Sequence, residues 1–213
     1  MSYGINAPVG LRPTYMLSGA TWNEQTNEYQ IASAYGTSIF TGDPVIFTTT
    51  GTIILATGGN AGAQGATMGV FMGCQYELNG TFVYSPFWPA GTVPDNAANA
   101  TAFVVDDPNV VFDIQVASNA AFANPTIVQT NMGLNANFTV AGVGNPAAGS
   151  TITGQSAYYL LYESLTPGTS ATLNLKLLRF TPNPKNIPGA NFNNALVLIN
   201  NHLYKGGTGT AGI

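Results

Sequence analysis

Charge is scarce in this 213-residue chain: Asp, Glu, Lys and Arg make up 7% of it, against about 25% in an ordinary soluble domain. Only five residues are Lys or Arg. A nucleic-acid partner is excluded on that ground, because phosphates must be neutralised by a basic patch. One cysteine, Cys74, rules out an internal disulfide, and one histidine, His202, rules out a histidine-rich metal site. No apolar run approaches the ~18 residues needed to cross a bilayer, so no membrane is expected as a partner. Residues 1–15 have no basic stretch leading into an apolar one, so they do not read as a secretory signal. The expectation is synthesis in a cytoplasm without export by a standard route. The Asn-x-Thr matches at Asn79, Asn99 and Asn137 then reflect a chain rich in Asn and Thr.

What is present is a foldable, polar but nearly uncharged chain. With 45% apolar and 11% aromatic residues it is not a disordered segment. The length suits one large β domain or two small ones. A surface of Asn, Thr, Ser, Gln and Gly repels its copies weakly and is ready to associate. The few charges are segregated. Residues 1–175 hold all nine acids and one base, Arg12, a formal charge of −8. Residues 176–213 hold Lys176, Arg179, Lys185 and Lys205 and no acid, a charge of +4. Two readings follow: a C-terminal strand packed beside acidic strands of its own fold, or a basic patch that docks on an acidic neighbour.

The local pattern is that of strands. Pro8 and Pro13 forbid a regular helix near the start, and residues 1–42 read as an extended arm with one short strand around 29–32. From Asp43 on, a β domain is expected to residue 200, with a possible sub-boundary near 95. Strands are expected at 45–47, 53–56 and 69–77, where Val70, Met72, Cys74 and Tyr76 share one face. That strand, with Gln75 and Glu77 on its other face, reads as half-buried; in the clearest alternation of the chain, Val110, Phe112, Ile114 and Val116 point one way and Asp113 and Gln115 the other. Leu173, Leu175 and Leu177 alternate until the phase slips at Leu178–Phe180, the signature of a β-bulge around Arg179. Residues 195–199 are apolar throughout and read as a strand covered on both faces. One or two helical turns are expected at 94–102 and another at 119–123. Residues 201–213 read as a glycine-rich tail. The fold class is all-β, a β-sandwich (jelly-roll) or β-barrel with an N-terminal arm, or alternatively two small barrels.

Little in the sequence points to chemistry. His202 stands near the end with no Gly-x-Ser-x-Gly elbow anywhere, and reads as a tail or strand-end residue. Cys74, on an apolar face, reads as an inert buried thiol. Asp106-Asp107-Pro108-Asn109, with Asp113 beyond, reads as a turn; Ca²⁺ binding and a catalytic carboxylate pair are its alternatives. Gly207-Thr208-Gly209-Thr210-Ala211-Gly212 has the letters of a dinucleotide fingerprint but no helix after it, so no cofactor is called for. Phe87 and Trp88, in a proline-flanked aromatic loop, read either as the cover of a β core or as a platform for a sugar or a partner.

Taken in order, the motifs point further. Asn6-Ala7-Pro8-Val9-Gly10-Leu11-Arg12-Pro13 is followed by Phe40-Thr41-Gly42-Asp43-Pro44-Val45 and Trp88-Pro89-Ala90-Gly91-Thr92. Then come Asp106-Asp107-Pro108, Val111-Phe112-Asp113-Ile114-Gln115, Gly133-Leu134-Asn135-Ala136 and Ile199-Asn200-Asn201-His202. This run resembles the capsid decoration or cement proteins of tailed bacteriophages. The resemblance implies a β-rich, non-enzymatic virion protein on the outer capsid surface, often trimeric or dimeric, that binds the major capsid protein and staples neighbouring capsomers. In that role Arg12, Lys176, Arg179 and Lys185 are the expected docking contacts. The alternative is a virion module that binds host carbohydrate through Phe87 and Trp88.

Overall fold

The computed structural model describes residues 5–56, 66–119, 125–140, 149–165 and 171–206. The glycine-rich loop at 58–62, the helical turn expected at 119–123 (all but its first residue) and the tail from 207 onward lie outside them. In chain order the strands are β1 (Arg12–Met16), β2 (Asn27–Ile31), β3 (Ile39–Phe40), β4 (Pro44–Phe47), β5 (Ile53–Leu55), β6 (Gly69–Leu78), β7 (Thr81–Ser85) and β8 (Phe87–Trp88). They continue with β9 (Ala100–Val105), β10 (Val110–Ala117), β11 (Asn135–Ala136), β12 (Phe138–Thr139), β13 (Tyr159–Leu161), β14 (Leu175–Phe180) and β15 (Asn194–Ile199). Four short 3₁₀ turns complete the regular structure of the described residues.

The protein is all-β, of the sandwich and barrel class. One sheet runs β2-β9-β6-β4-β5, with β7 also paired to β6. Its end strands β2 and β5 approach each other, so it curls into a nearly closed barrel. The second runs β11-β14-β15-β10-β13-β12, with β1 also paired to β10, and β3 and β8 form a small two-stranded sheet. A single apolar core draws on both large sheets, from Val45, Phe71 and Val104 on one side to Phe112, Leu177 and Val197 on the other. The strands change between the two large sheets from β1 to β2 and again from β9 to β10, at 106–109, not at the sub-boundary expected near 95.

Period-two alternation translates directly where one face meets this core. The expected bulge is present: β14 slips register on β15 between Leu177 and Arg179, keeping Leu175 and Leu177 fully buried. β15 lies between β14 and β10 and is buried along nearly its whole length, as its apolar run predicts. At 94–102 the structure has one 3₁₀ turn, Asp95–Ala97, followed by strand β9, because pairing with both β2 and β6 overrides the weak local helical signal.

One expectation, the N-terminal arm, is corrected. β10 is buried at all eight positions, although its alternation sets Asp113 and Gln115 on the face opposite the core. Its polar side chains are covered by the N-terminal segment: the Gln115 amide accepts from Ala7 N–H and donates to the Ile5 carbonyl, both at 2.9 Å. For the same reason residues 5–42 do not stand off as an arm. They run extended but are sewn into the body, β1 onto β10 and β2 onto β9, with Leu11, Ile31 and Ile39 fully buried.

Gly10 marks where this segment crosses the core. Its φ is +75°, and a Cβ there would lie 2.5 Å from the Gly42 carbonyl oxygen and 2.6 Å from Ser156 Cβ. Neither side can give way, since Leu11 N–H donates to that same carbonyl and Gly10 N–H to Tyr158 O. Gly10→Ala is therefore expected to cost about 3 kcal/mol in chemical denaturation, combining backbone strain with overpacking. A cost under ~0.5 kcal/mol would show that the crossing is loose.

Candidate functional site: a basic sheet face and an acidic cleft

The outward face of the second sheet gathers most of the basic residues. Residues paired directly across an antiparallel ladder point to the same face. Arg12 on β1 is paired with Asp113 on β10, Asp113 with Leu196 on β15, and Leu196 with Arg179 on β14, forming one row across four strands. One step along, Lys176 is paired with Leu198 and with Asn135. Val111, Leu196 and Leu198 form a small apolar cluster on this face, packed by Tyr15 and Leu178. Lys185, in the loop after β14, lies exposed beside it. A polar cavity of about 360 Å³ opens there, with Arg12, Asp113, Thr181, Lys185, Asn193 and Asn194 in its wall. Four of the chain's five basic residues are thus on or beside one sheet face.

Their partners differ. Arg12, from the N-terminal part of the chain, forms an ion pair with Asp113, which also accepts from Thr181 Oγ1 at 2.6 Å and Asn194 Nδ2 at 3.2 Å. Among the described residues, Arg179 pairs with no acid. Its guanidinium carbon sits 5.3 Å from the Tyr15 ring centroid, and Nη2 donates to Tyr15 Oη at 2.8 Å. That stacking fixes a planar cation on the surface in one orientation.

The aromatic loop is the cover of a core. Trp88 is fully buried, donates from Nε1 to the Tyr35 carbonyl at 3.1 Å, and meets Tyr76 edge-to-face at 5.6 Å. Phe87 stacks on Phe40 at 5.5 Å. Trp88 is thereby removed as an interface or sugar-stacking candidate. Phe82 and Tyr84 on β7, in the stretch just before it, are the exposed aromatics of this region. Cys74 is buried as expected, and burial pushes its thiol up to about 12, which makes it inert.

The carboxylates chosen from the sequence separate. Asp113 belongs to the basic face. Asp107 closes the turn, with Oδ1 accepting from Asn109 N–H at 2.7 Å. Asp106 accepts from Asn27 Nδ2 at 2.9 and 3.0 Å and from the Tyr29 hydroxyl. Tyr29 is in turn 3.0 Å from the Tyr204 hydroxyl, which ties the last described residues to β2. Beside this network is a cleft of about 440 Å³ between the end of β1, residues 22–27 and the 106–107 turn. Its lining includes Trp22, Gln25, Asn27, Asp106 and Asp107. Trp22 carried no signal in the sequence, where it stands among polar residues far from Asp106. Among the described residues, no three His, Cys, Asp or Glu side chains are grouped to hold a metal ion.

Two buried titratable groups were also not legible as such. His202 is fully buried, not part of a tail: Thr67 pairs with it as an isolated bridge, and its Nδ1 accepts from Tyr204 N–H at 3.1 Å. Burial, aided by Lys205, lowers it to about 4, and its buried Nε2 has no hydrogen-bond partner. Among the described residues, no serine or cysteine is bonded to it. Asp43, fully buried behind Pro44, is raised by burial to about 7 against the pull of the Phe40 N–H that its Oδ2 accepts at 2.7 Å.

No family model, curated protein or solved structure matches the chain. Among the described residues, no helix is long and apolar enough to cross a membrane.

Proposed function

We propose that the protein is a structural virion protein. In this reading it binds the outer surface of a tailed-phage capsid, contacts the major capsid protein, and cements neighbouring capsomers as a homotrimer or homodimer, without catalysis. The observation that carries the reading, beside the ordered motifs of the sequence, is the gathering of Arg12, Lys176, Arg179 and Lys185 on one rigid sheet face. They come from both ends of a chain that is otherwise acidic. A face of this kind suits weak, repeated contacts with an acidic lattice, because symmetry multiplies a modest affinity. The apolar cluster between the cations adds contact area, and the nearly neutral surface around it allows copies to sit close together.

The test is sedimentation of purified protein with capsids that lack it, followed by thermal rupture of the shells. Association that raises the rupture temperature is expected, weakening as salt rises past ~0.15 M, where the screening length is about 8 Å. The Lys176→Glu, Arg179→Glu double variant is expected to lose binding about tenfold or more, through like-charge contacts, while Lys205→Glu binds normally. Absence of association, or association without added shell stability, would defeat the proposal.

A further inference from the structure

The cleft beside Asp106 shares no residue with the basic face and is built for a different kind of ligand. Its volume, about 440 Å³, is in the range of small-molecule sites, ~300–1,000 Å³. We infer that it binds a neutral carbohydrate, a mono- or disaccharide, between the Trp22 indole and the Asp106–Asp107 turn.

The cleft is amphipathic in cross-section. Trp22, Met16 and Val110 supply apolar surface; Gln25, Asn27 and the two aspartates supply polar groups. A pyranose has the same division, with C–H groups on its faces and hydroxyls around its edge. The polar wall is also held in place. Asp106 is fixed by two bonds from Asn27 and one from Tyr29, so it presents a set geometry without ordering cost on binding. Asp107 has one oxygen committed to the turn and stands exposed at the rim.

Hydrogen-bonding character then selects among ligand classes. The Trp22 Nε1–H is closed to solvent and has no acceptor among the described residues, so the indole meets the cleft through its carbon surface, whereas the carboxylates offer acceptors only. A pyranose suits this arrangement, laying its C–H face on the indole and donating from its hydroxyls to the carboxylates. An ammonium group also pairs with the carboxylates and can stack on the indole face, which makes propylammonium the competing ligand to exclude. An anion meets two negative charges. A divalent cation needs six or more oxygens, while both oxygens of Asp106 already accept hydrogen bonds from the Asn27 amide.

The chain's two tryptophans make the test direct. Trp88 is sealed against Tyr35, so a ligand in the cleft perturbs emission through Trp22 alone. Titration with glucose, galactose, N-acetylglucosamine, maltose and lactose, followed by emission and calorimetry, is expected to show saturable binding of at least one. Glucuronate, propylammonium and Ca²⁺ are expected to give none. Trp22→Phe should abolish the emission change, and Asp107→Asn, which keeps the turn oxygen, should weaken binding about tenfold, roughly 1.4 kcal/mol, at an unchanged melting temperature. The inference is overturned by flat titrations for all five sugars, by binding of propylammonium or Ca²⁺ alone, or by undiminished affinity in Asp107→Asn. Capsid association is measured separately and is unaffected by any of these outcomes.

Discussion

Asp43→Asn is expected to make the protein acid-sensitive, and His202→Gln to make it alkali-sensitive, although neither trait is strong in the parent chain. Asp43 is raised from an ordinary 3.8 to about 7 in the folded state. The native protein holds its proton more tightly than the unfolded chain, so this stabilisation is complete below pH ~4 and is lost as pH rises to 7. His202 is lowered from 6.5 to about 4. Its contribution is complete above 6.5 and is lost as pH falls to 4. Between pH 4 and 6.5 the two slopes, each about 1.4 kcal/mol per pH unit, have opposite signs and cancel. Removing Asp43 leaves the histidine slope, a loss of about 3 kcal/mol on acidification from pH 6.5 to 4. Removing His202 leaves the aspartate slope, a loss of about 4 kcal/mol between pH 4 and 7. Denaturant midpoints measured across this range in the three proteins check the pair. Identical pH profiles for all three would show that neither group is held in its uncharged form.

Trp88→Ala is expected to cost about 3–5 kcal/mol, the usual range for deleting a large buried ring. The loss has two parts: the space vacated beside Tyr76 and Ile39, and the Tyr35 carbonyl left without its indole donor. Trp88→Phe separates them, keeping most of the packing and losing about 1 kcal/mol for the hydrogen bond. Equilibrium denaturation gives both numbers. A stable Trp88→Ala variant would restore this residue as a surface platform and reopen the reading in which the aromatic loop meets a sugar.

These residues show where sequence reasoning stopped. Trp88 and Phe87 stand among prolines and a glycine, a composition shared by exposed binding loops and by core covers. Only the Tyr35 carbonyl, 53 positions away, distinguishes the two. Arg12 looked free for docking because Asp113, its ion-pair partner, is 101 residues distant. The acidic turn was visible as Asp-Asp-Pro-Asn, but the cleft beside it needs Trp22 and Asn27 from another part of the chain. His202 had no apolar periodicity around it to announce its burial.

The sequence by itself determined the properties that depend on neighbours along the chain. They are the all-β class, from alternation with period two; the bulge at Leu177–Arg179, from a slip in that alternation; the inert face of Cys74; and the separation of −8 from +4. Only the tertiary structure decided which strand faces were covered twice, which cations met an acid, and which aromatics were sealed. Burial and pairing are set by what crosses over a strand, and in this fold that is the N-terminal segment lying on β10, a contact more than 100 residues long in sequence. No local pattern encodes such a contact, because its stabilisation comes from groups that become neighbours only after the sheets have formed.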